Sequence, residues 1–137
     1  MPLPFQPKEK SVLVCDFNGF VIPEMVKVRP VIVIARNRLN SQLVTIVPLS
    51  TTEPDPISRY HHEFAVNPLP DKRLVRSWAK CDMVTTVSLA RLDRYKFRVQ
   101  GMGRKYVVPT IEDEDFEAVR RAVLAALRLS STLGDVL

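Results

Sequence analysis

Two short β-branched runs on either side of a polar turn constrain the fold more than any other feature. Val31-Ile32-Val33-Ile34 and Leu43-Val44-Thr45-Ile46-Val47 flank Arg36-Asn37-Arg38-Leu39-Asn40-Ser41. Branched apolar runs bounded by turn residues read as adjacent strands. Pro30 opens the first run, and the first residue of a strand is a place where a sheet tolerates a missing N–H. Proline also holds the preceding residue, Arg29, in extended geometry. Antiparallel pairing through the turn brings the chain back to its start. Arg29 and the hydroxyls of Ser50-Thr51-Thr52 then lie at one end of a single hairpin. A guanidinium beside hydroxyls suits a phosphodiester, because arginine grips two phosphate oxygens at once. The plainer alternative pairs Arg29 with a surface carboxylate and leaves Ser50-Thr51-Thr52 as turn chemistry.

The 137 residues fit one domain, and an apolar content of 46% is enough for a small core. A net charge of +5 favours polyanionic partners. No apolar run reaches membrane-spanning length and the N-terminus lacks a signal-peptide pattern, so a cytoplasmic protein is expected. Cys15 and Cys81 sit in strand-like segments and read as small buried apolar residues in a reducing compartment. Their spacing from histidine does not match a zinc site, and neither a metal nor another cofactor is expected.

Residues 1–10, with Pro2, Pro4 and Pro7, read as an extended arm, and Ser11–Phe17 as the first strand. Asn18–Val28 is a loop in which Glu24 and Lys27 either cover the site or solvate the surface. His61 and His62 lie on a further strand, where neighbours point to opposite faces. They do not readily share a metal, but one can face the site and supply a proton. If Trp78-Ala79-Lys80-Cys81-Asp82 is extended, Trp78, Lys80 and Asp82 share a face. Lys80 and Asp82 then either line a cleft or form a surface ion pair of little worth. Between Arg91 and Lys105, six basic residues and one acid are interleaved with Tyr95 and Phe97. This is either a track for single-stranded RNA or a solvated hairpin with its rings in the core. A final helix is expected, capped by Thr110 with Asp113 three residues on. Acids crowd its start, and Phe116, Val119, Val123, Leu124 and Leu127 form its apolar stripe. Residues 130–137 read as a flexible tail. The pattern is that of a small α+β domain around an antiparallel sheet.

Several segments resemble, in order and spacing, the PemK/MazF toxins, the ribonuclease halves of bacterial type II toxin–antitoxin modules. They are Val12-Leu13-Val14-Cys15-Asp16-Phe17, the stretch from Pro23 to Ile34, Val47-Pro48-Leu49-Ser50-Thr51, Trp78-Ala79-Lys80-Cys81-Asp82, Thr86-Val87-Ser88 and Arg91-Leu92. The resemblance spans roughly residues 10–128. It implies an SH3-like antiparallel β-barrel with appended helices, one of them C-terminal, over residues 11–129. It further implies a homodimer whose interface shapes RNA grooves, and a cognate antitoxin with an acidic, apolar, disordered segment that occludes them. DNA would be engaged only through the antitoxin complex.

The activity the resemblance implies is sequence-selective, metal-independent cleavage of single-stranded RNA. The 2′-hydroxyl attacks the adjacent phosphorus and expels the 5′-oxygen, leaving a 2′,3′-cyclic phosphate and a 5′-hydroxyl end. Arg29 is expected to stabilise the developing charge. Ser50 aligns with the family's functional threonine, with Thr51 in support. Lys80 and Asp82 occupy the places of a basic residue and an aspartate that contribute to cleavage in some members, with Lys where an Arg is found. Pro23 stands where several members carry a loop histidine. Asp82 or Glu24 is the candidate base, and His61, His62 and Lys80 are candidate acids. Lys27, Arg36, Arg59 and Trp78 are expected to contact RNA. The alternative is a non-catalytic relative of the same fold that poisons a protein target, as the gyrase-directed toxins do, or only binds nucleic acid. Base reading in the family depends on loops, here Asn18–Val28 and Glu53–Tyr60.

Overall fold

The computed structural model describes residues 3–129. The two branched runs form β2 (Arg29–Arg36) and β3 (Leu43–Ser50), antiparallel, with Val31 opposite Pro48 and Ile32 opposite Val47. The turn between them is built by asparagine. The Asn37 side-chain oxygen accepts from the backbone N–H groups of Leu39 and Asn40, and that of Asn40 accepts from Gln42. Asparagine suits such turns because its short side chain satisfies backbone donors two and three residues on. The register shifts between Val33 and Ala35, and a bulge of this kind bends the strand and sharpens its twist.

β1 (Val12–Cys15) pairs with β2, setting Cys15 opposite Arg29, and its other edge takes β7 (Leu92–Asp93). The free edge of β3 is divided. Its first half pairs with β6 (Thr85–Ser88), and its end, Leu49 and Ser50, pairs with β5 (Trp78–Lys80). β4 (His61–Glu63) completes the order β4-β5-β3-β2-β1-β7. One strand feeding two partners on the same edge curls the sheet, and the result is an α+β SH3-like antiparallel barrel. β8 (Tyr95–Val99) and β9 (Gly103–Val107) form a separate two-stranded ribbon. Of the expected helices, one is α-helical among the described residues, α1 (Asp113–Ala126), with 3-10 turns at Cys81–Met83 and Leu89–Arg91.

The alternation along the strands sorts side chains into two clusters. Ile32, Val47, Leu49 and Ala79 pack under α1 through Phe116, Val119 and Val123. Leu13, Val31, Val33 and Ile46 face the other way, onto Phe17, Leu89 and Leu92. β2 and β3 are therefore covered on both sides, which explains why they read as nearly continuous apolar runs.

Three local expectations change. Glu112, not Thr110, precedes the helix, and no side chain caps it. Thr110 instead bridges Ser11. The acids of the first turn, with Lys10 pairing Asp113, satisfy the positive helix end. The buried stripe uses Ala122 and Ala125, whereas Leu127 is 53% exposed. Within the arm, Leu3 is buried and the Gln6 amide donates to the carbonyls of Asn37 and Leu43, so this segment is docked across the β2–β3 turn. The tail, residues 130–137, and the first two residues of the arm lie outside the described residues. Among the described residues no helix is long and apolar enough to cross a membrane.

Candidate functional site

Continuing the β2–β3 register by two residues sets Arg29 beside Ser50, and Ser50 stands opposite Trp78 on β5. These three residues share one face of the sheet by strand parity. A cleft of about 200 Å³ opens here, lined by Arg29, Ser50, Thr51, Lys72 and Ser77 among others, with no carboxylate among its lining residues. The hairpin expected from sequence thus delivers its guanidinium and hydroxyls to one place.

Arg29 is half-buried, and its Nε–H is buried with no acceptor. No carboxylate pairs with it among the described residues, so the surface ion-pair reading of Arg29 does not hold. A buried charged donor left without an acceptor costs free energy. The Ser50 hydroxyl accepts from the Thr52 N–H at 3.1 Å, which leaves its O–H to donate. On the next strand the Trp78 indole N–H is also buried without a partner. The cleft itself is lined by two cations and several hydroxyls and by no acid, whereas Trp78 does not line it.

Lys72 and Ser77 are residues that the sequence reading did not place in the site. Both belong to the connection between β4 and β5. Asn67 organises it: buried, it accepts from the Leu69 N–H and donates to the Val75 carbonyl. The one sequence signal was the basic pair Lys72-Arg73 in a proline-rich loop.

Two residues along β5, about 7 Å from the Trp78 rung at strand rise, Lys80 faces His61 across the β4–β5 pair. The strand ends there. Cys81–Met83 turns into a 3-10 segment, so Asp82 does not continue the alternation with Trp78 and Lys80. Asp82 instead stands 3.9 Å from His61 Nε2. His61 Nδ1 accepts from the Ser58 backbone N–H at 3.3 Å, which leaves the ring proton on Nε2, toward Asp82. Lys80 and Asp82 form no ion pair with each other.

His62 lies on the opposite face, as strand parity demands. Its Nε2 meets the Asp115 carboxylate of α1 at 2.8 Å, and its ring packs edge-on against Phe64. It belongs to the helix contact, away from the cleft. Glu24 accepts from the Val21 N–H within its own loop and does not line the cleft. Lys27 is exposed beside Val28, a lining residue, and Arg59 is exposed in the 53–60 loop. Arg36 is at the far end of β2 from Arg29, where it lines a separate cleft with Gln6 and Lys10. Trp78 is 2% exposed and offers no open ring face for a base. The Arg76 guanidinium covers it at 4.7 Å and is itself held by Glu63, at 2.7 Å, and Glu53. Hydrogen bonds from Arg76 hold the Glu63 carboxyl below the usual carboxylate range.

Arg91 secures the loop on the cleft side of β1. Its guanidinium donates to the carbonyls of Asp16 and Asn18 and lies 4.9 Å over Phe20. Cys15 and Cys81 are both buried, and burial pushes each thiol up to about 12.

The same architecture recurs in solved toxins. MazF from Deinococcus radiodurans aligns over 90% of this chain and 98% of its own, with a TM-score of 0.63 and 11% identity. Mycobacterium tuberculosis toxin MazF-mt6 aligns over 87% of this chain and 97% of its own, with a TM-score of 0.58 and 20% identity. A mycobacterial endoribonuclease solved in complex with its cognate antitoxin covers 90% of this chain and 96% of its own, with a TM-score of 0.62 and 17% identity. In sequence, the Escherichia coli (strain K12) protein YifN is 29% identical over 97% of this chain and 99% of its own length. The profile of the PemK-like, MazF-like toxins of type II toxin–antitoxin systems matches residues 8–127. That match spans the strands, the cleft and the helix together, and the chain is a member of this toxin family.

Proposed function

We propose that this toxin is a metal-independent endoribonuclease and that the Arg29–Ser50 cleft is where the scissile phosphate sits. The observation that carries the reading is a cleft lined by Arg29, Lys72 and a Ser50 hydroxyl free to donate, without a carboxylate. RNA contains its own nucleophile, so the protein needs to move protons and hold charge rather than supply an attacking group. As the 2′-oxygen closes on phosphorus, negative charge builds on the non-bridging oxygens. Arg29, Lys72 and the Ser50 O–H line the same cleft, and their role is to meet that charge as it develops. Thr51 lines the same cleft in support.

Proton transfer is assigned to His61 and Asp82, which stand outside the cleft lining beyond the Lys80 rung, so the RNA must extend along β5 to meet them. Asp82 is the more exposed of the two and is assigned the base, and the Nε2–H of His61 is assigned to the leaving 5′-oxygen. Lys80, half-buried and opposite His61, adds charge rather than a proton. DNA lacks the 2′-hydroxyl and is left intact.

The partner of the toxin is an antitoxin, by analogy with the mycobacterial endoribonuclease solved with its own. A disordered acidic and apolar segment folding across the cleft would place a carboxylate where the phosphate goes. The loop before β2 exposes Val21, Ile22 and Val28, apolar surface that fits a second copy of the chain in a homodimer.

The test is cleavage of a long single-stranded RNA in EDTA by wild type, Arg29→Ala and Ser50→Ala. Cuts at a short recurring motif with 5′-hydroxyl ends, lost in both variants, are expected. A folded wild type that cuts nothing, or cutting unchanged by both substitutions, would remove the assignment and favour a toxin with a protein target.

A further inference from the structure

We infer that the exposed face of the β8–β9 ribbon is a second RNA-binding surface, separate from the cleavage cleft, that holds the strand flanking the cut. From residue 94 to residue 111 the chain carries Arg94, Lys96, Arg98, Arg104 and Lys105 and no acid. These five charges equal the net charge of the whole protein, so the remaining residues, 15 basic and 15 acidic, are neutral in sum. All five side chains are exposed, and none forms an ion pair among the described residues. A positive field so concentrated and unneutralised favours a polyanion over a neutral partner.

The register gathers Arg94, Lys96, Arg98 and Arg104 on one face, whereas Lys105, opposite Phe97, belongs to the other. Tyr95 pairs with Val107 and Phe97 with Lys105, and the rings of Tyr95 and Phe97 turn toward the core under α1. The alternate rungs pair Lys96 with Tyr106 and Arg98 with Arg104, and parity puts them on the outer face. Lys96 and Arg98 stand about 7 Å apart along the strand, spaced to meet successive phosphates. Tyr106 is 50% exposed with Arg94 over its ring at 5.7 Å, and Met102 at the tip is 80% exposed. An exposed aromatic ring among cations suits an unpaired base.

The ribbon is also tied to the cleft. The Tyr95 phenol donates to the Asp71 carboxylate at 2.6 Å, and Asp71 is followed by Lys72, which lines the cleft. Burial and the Asp71 carboxylate push the phenol upward, so it stays a donor. One loop thus lines the cleft through Lys72 and anchors the ribbon through Asp71.

The choice of RNA rests on the ribonuclease reading, whereas the ribbon's affinity for a nucleic-acid backbone does not. The experiment therefore measures binding without cleavage, using fluorescence anisotropy of a labelled single-stranded deoxyoligonucleotide of roughly 20 nucleotides, longer than a single-fold site. Wild type is compared with Lys96→Gln/Arg98→Gln/Arg104→Gln across salt concentrations. Three lost phosphate contacts at about 0.7 each lower the salt slope by about 2. Carried from a 1 M limit to 0.15 M, that is roughly fifty-fold weaker binding. Thermal unfolding, expected to be unchanged for these exposed positions, guards against misfolding. Unaltered affinity and salt slope would overturn the inference. So would a variant that loses binding to polyglutamate while keeping the oligonucleotide, since that outcome would assign the ribbon to an acidic protein segment. Binding that is lost in the variant, from a wild type that never cuts RNA, would uphold the ribbon while removing the cleavage reading of the cleft.

Discussion

Replacing Arg29 with methionine should move stability and activity in opposite directions. The Arg29 Nε–H is buried without an acceptor. An unsatisfied buried donor costs about 1–3 kcal/mol. Arg29 is only half-buried, so the lower end, about 1 kcal/mol, applies. Methionine keeps the unbranched stem and removes the donor. At this chain length 1 kcal/mol corresponds to a rise in Tm of roughly 4 °C. Cleavage, by contrast, loses a charge-stabilising donor, and comparable losses lower kcat about 10²–10³-fold. Arg29→Lys restores the charge without the fork or the Nε–H and should recover part of the rate. Differential scanning fluorimetry and single-turnover cleavage of an RNA under saturating enzyme read the two effects separately. A variant that is less stable yet cleaves normally would refute the reasoning. So would an activity loss that merely tracks the fraction unfolded, since Arg29 would then be a structural residue.

Three other outcomes follow from the structure. Asp115→Ala and His62→Ala should each destabilise the protein by about 1–2 kcal/mol, with a coupling close to either single loss, because they break the same contact between β4 and α1. Chemical denaturation checks this, and RNA cleavage per folded molecule should be unchanged. Arg76→Ala should uncover the single tryptophan, Trp78, and shift its emission to the red. The Glu63 carboxyl that Arg76 leaves behind then returns toward its ordinary range, so in the wild type this pair's small contribution is lost as pH falls below that range. Cys15 and Cys81 should resist a thiol reagent at pH 8 until the protein is unfolded, since both are buried and raised to about 12 from 9.0. Their raised thiols favour the folded state below pH 9 and cease to do so between about pH 9 and 12, so alkaline unfolding should set in across that window.

What the sequence by itself determined is what strand periodicity and local chemistry control. The β-branched runs, Pro30 and the polar turn dictate a hairpin that returns Ser50–Thr52 to the end where Arg29 stands, and the bulge between Val33 and Ala35 then sets Ser50 at its level. The alternation of side chains likewise separates His61 from His62 without any knowledge of their surroundings. The acids and apolar spacing after Glu112 suffice to mark a helix that packs on a sheet. Contacts between segments distant in sequence were decided only by the tertiary structure. Lys72 reaches the cleft because Asn67 folds the β4–β5 loop over it, and Asp82 meets His61 because the chain turns at Cys81, ending the strand alternation. His62 is taken up by Asp115, 53 residues away, and the Trp78 ring by Arg76 and its two carboxylates. Whether Arg29 has a partner was likewise open in the sequence, where 15 acids could have reached it. Period and turn chemistry act over a few residues and leave their mark in the order of the letters. The pairing of charges and the closing of a cleft depend on which loops the packed sheet brings together, and no local pattern encodes that.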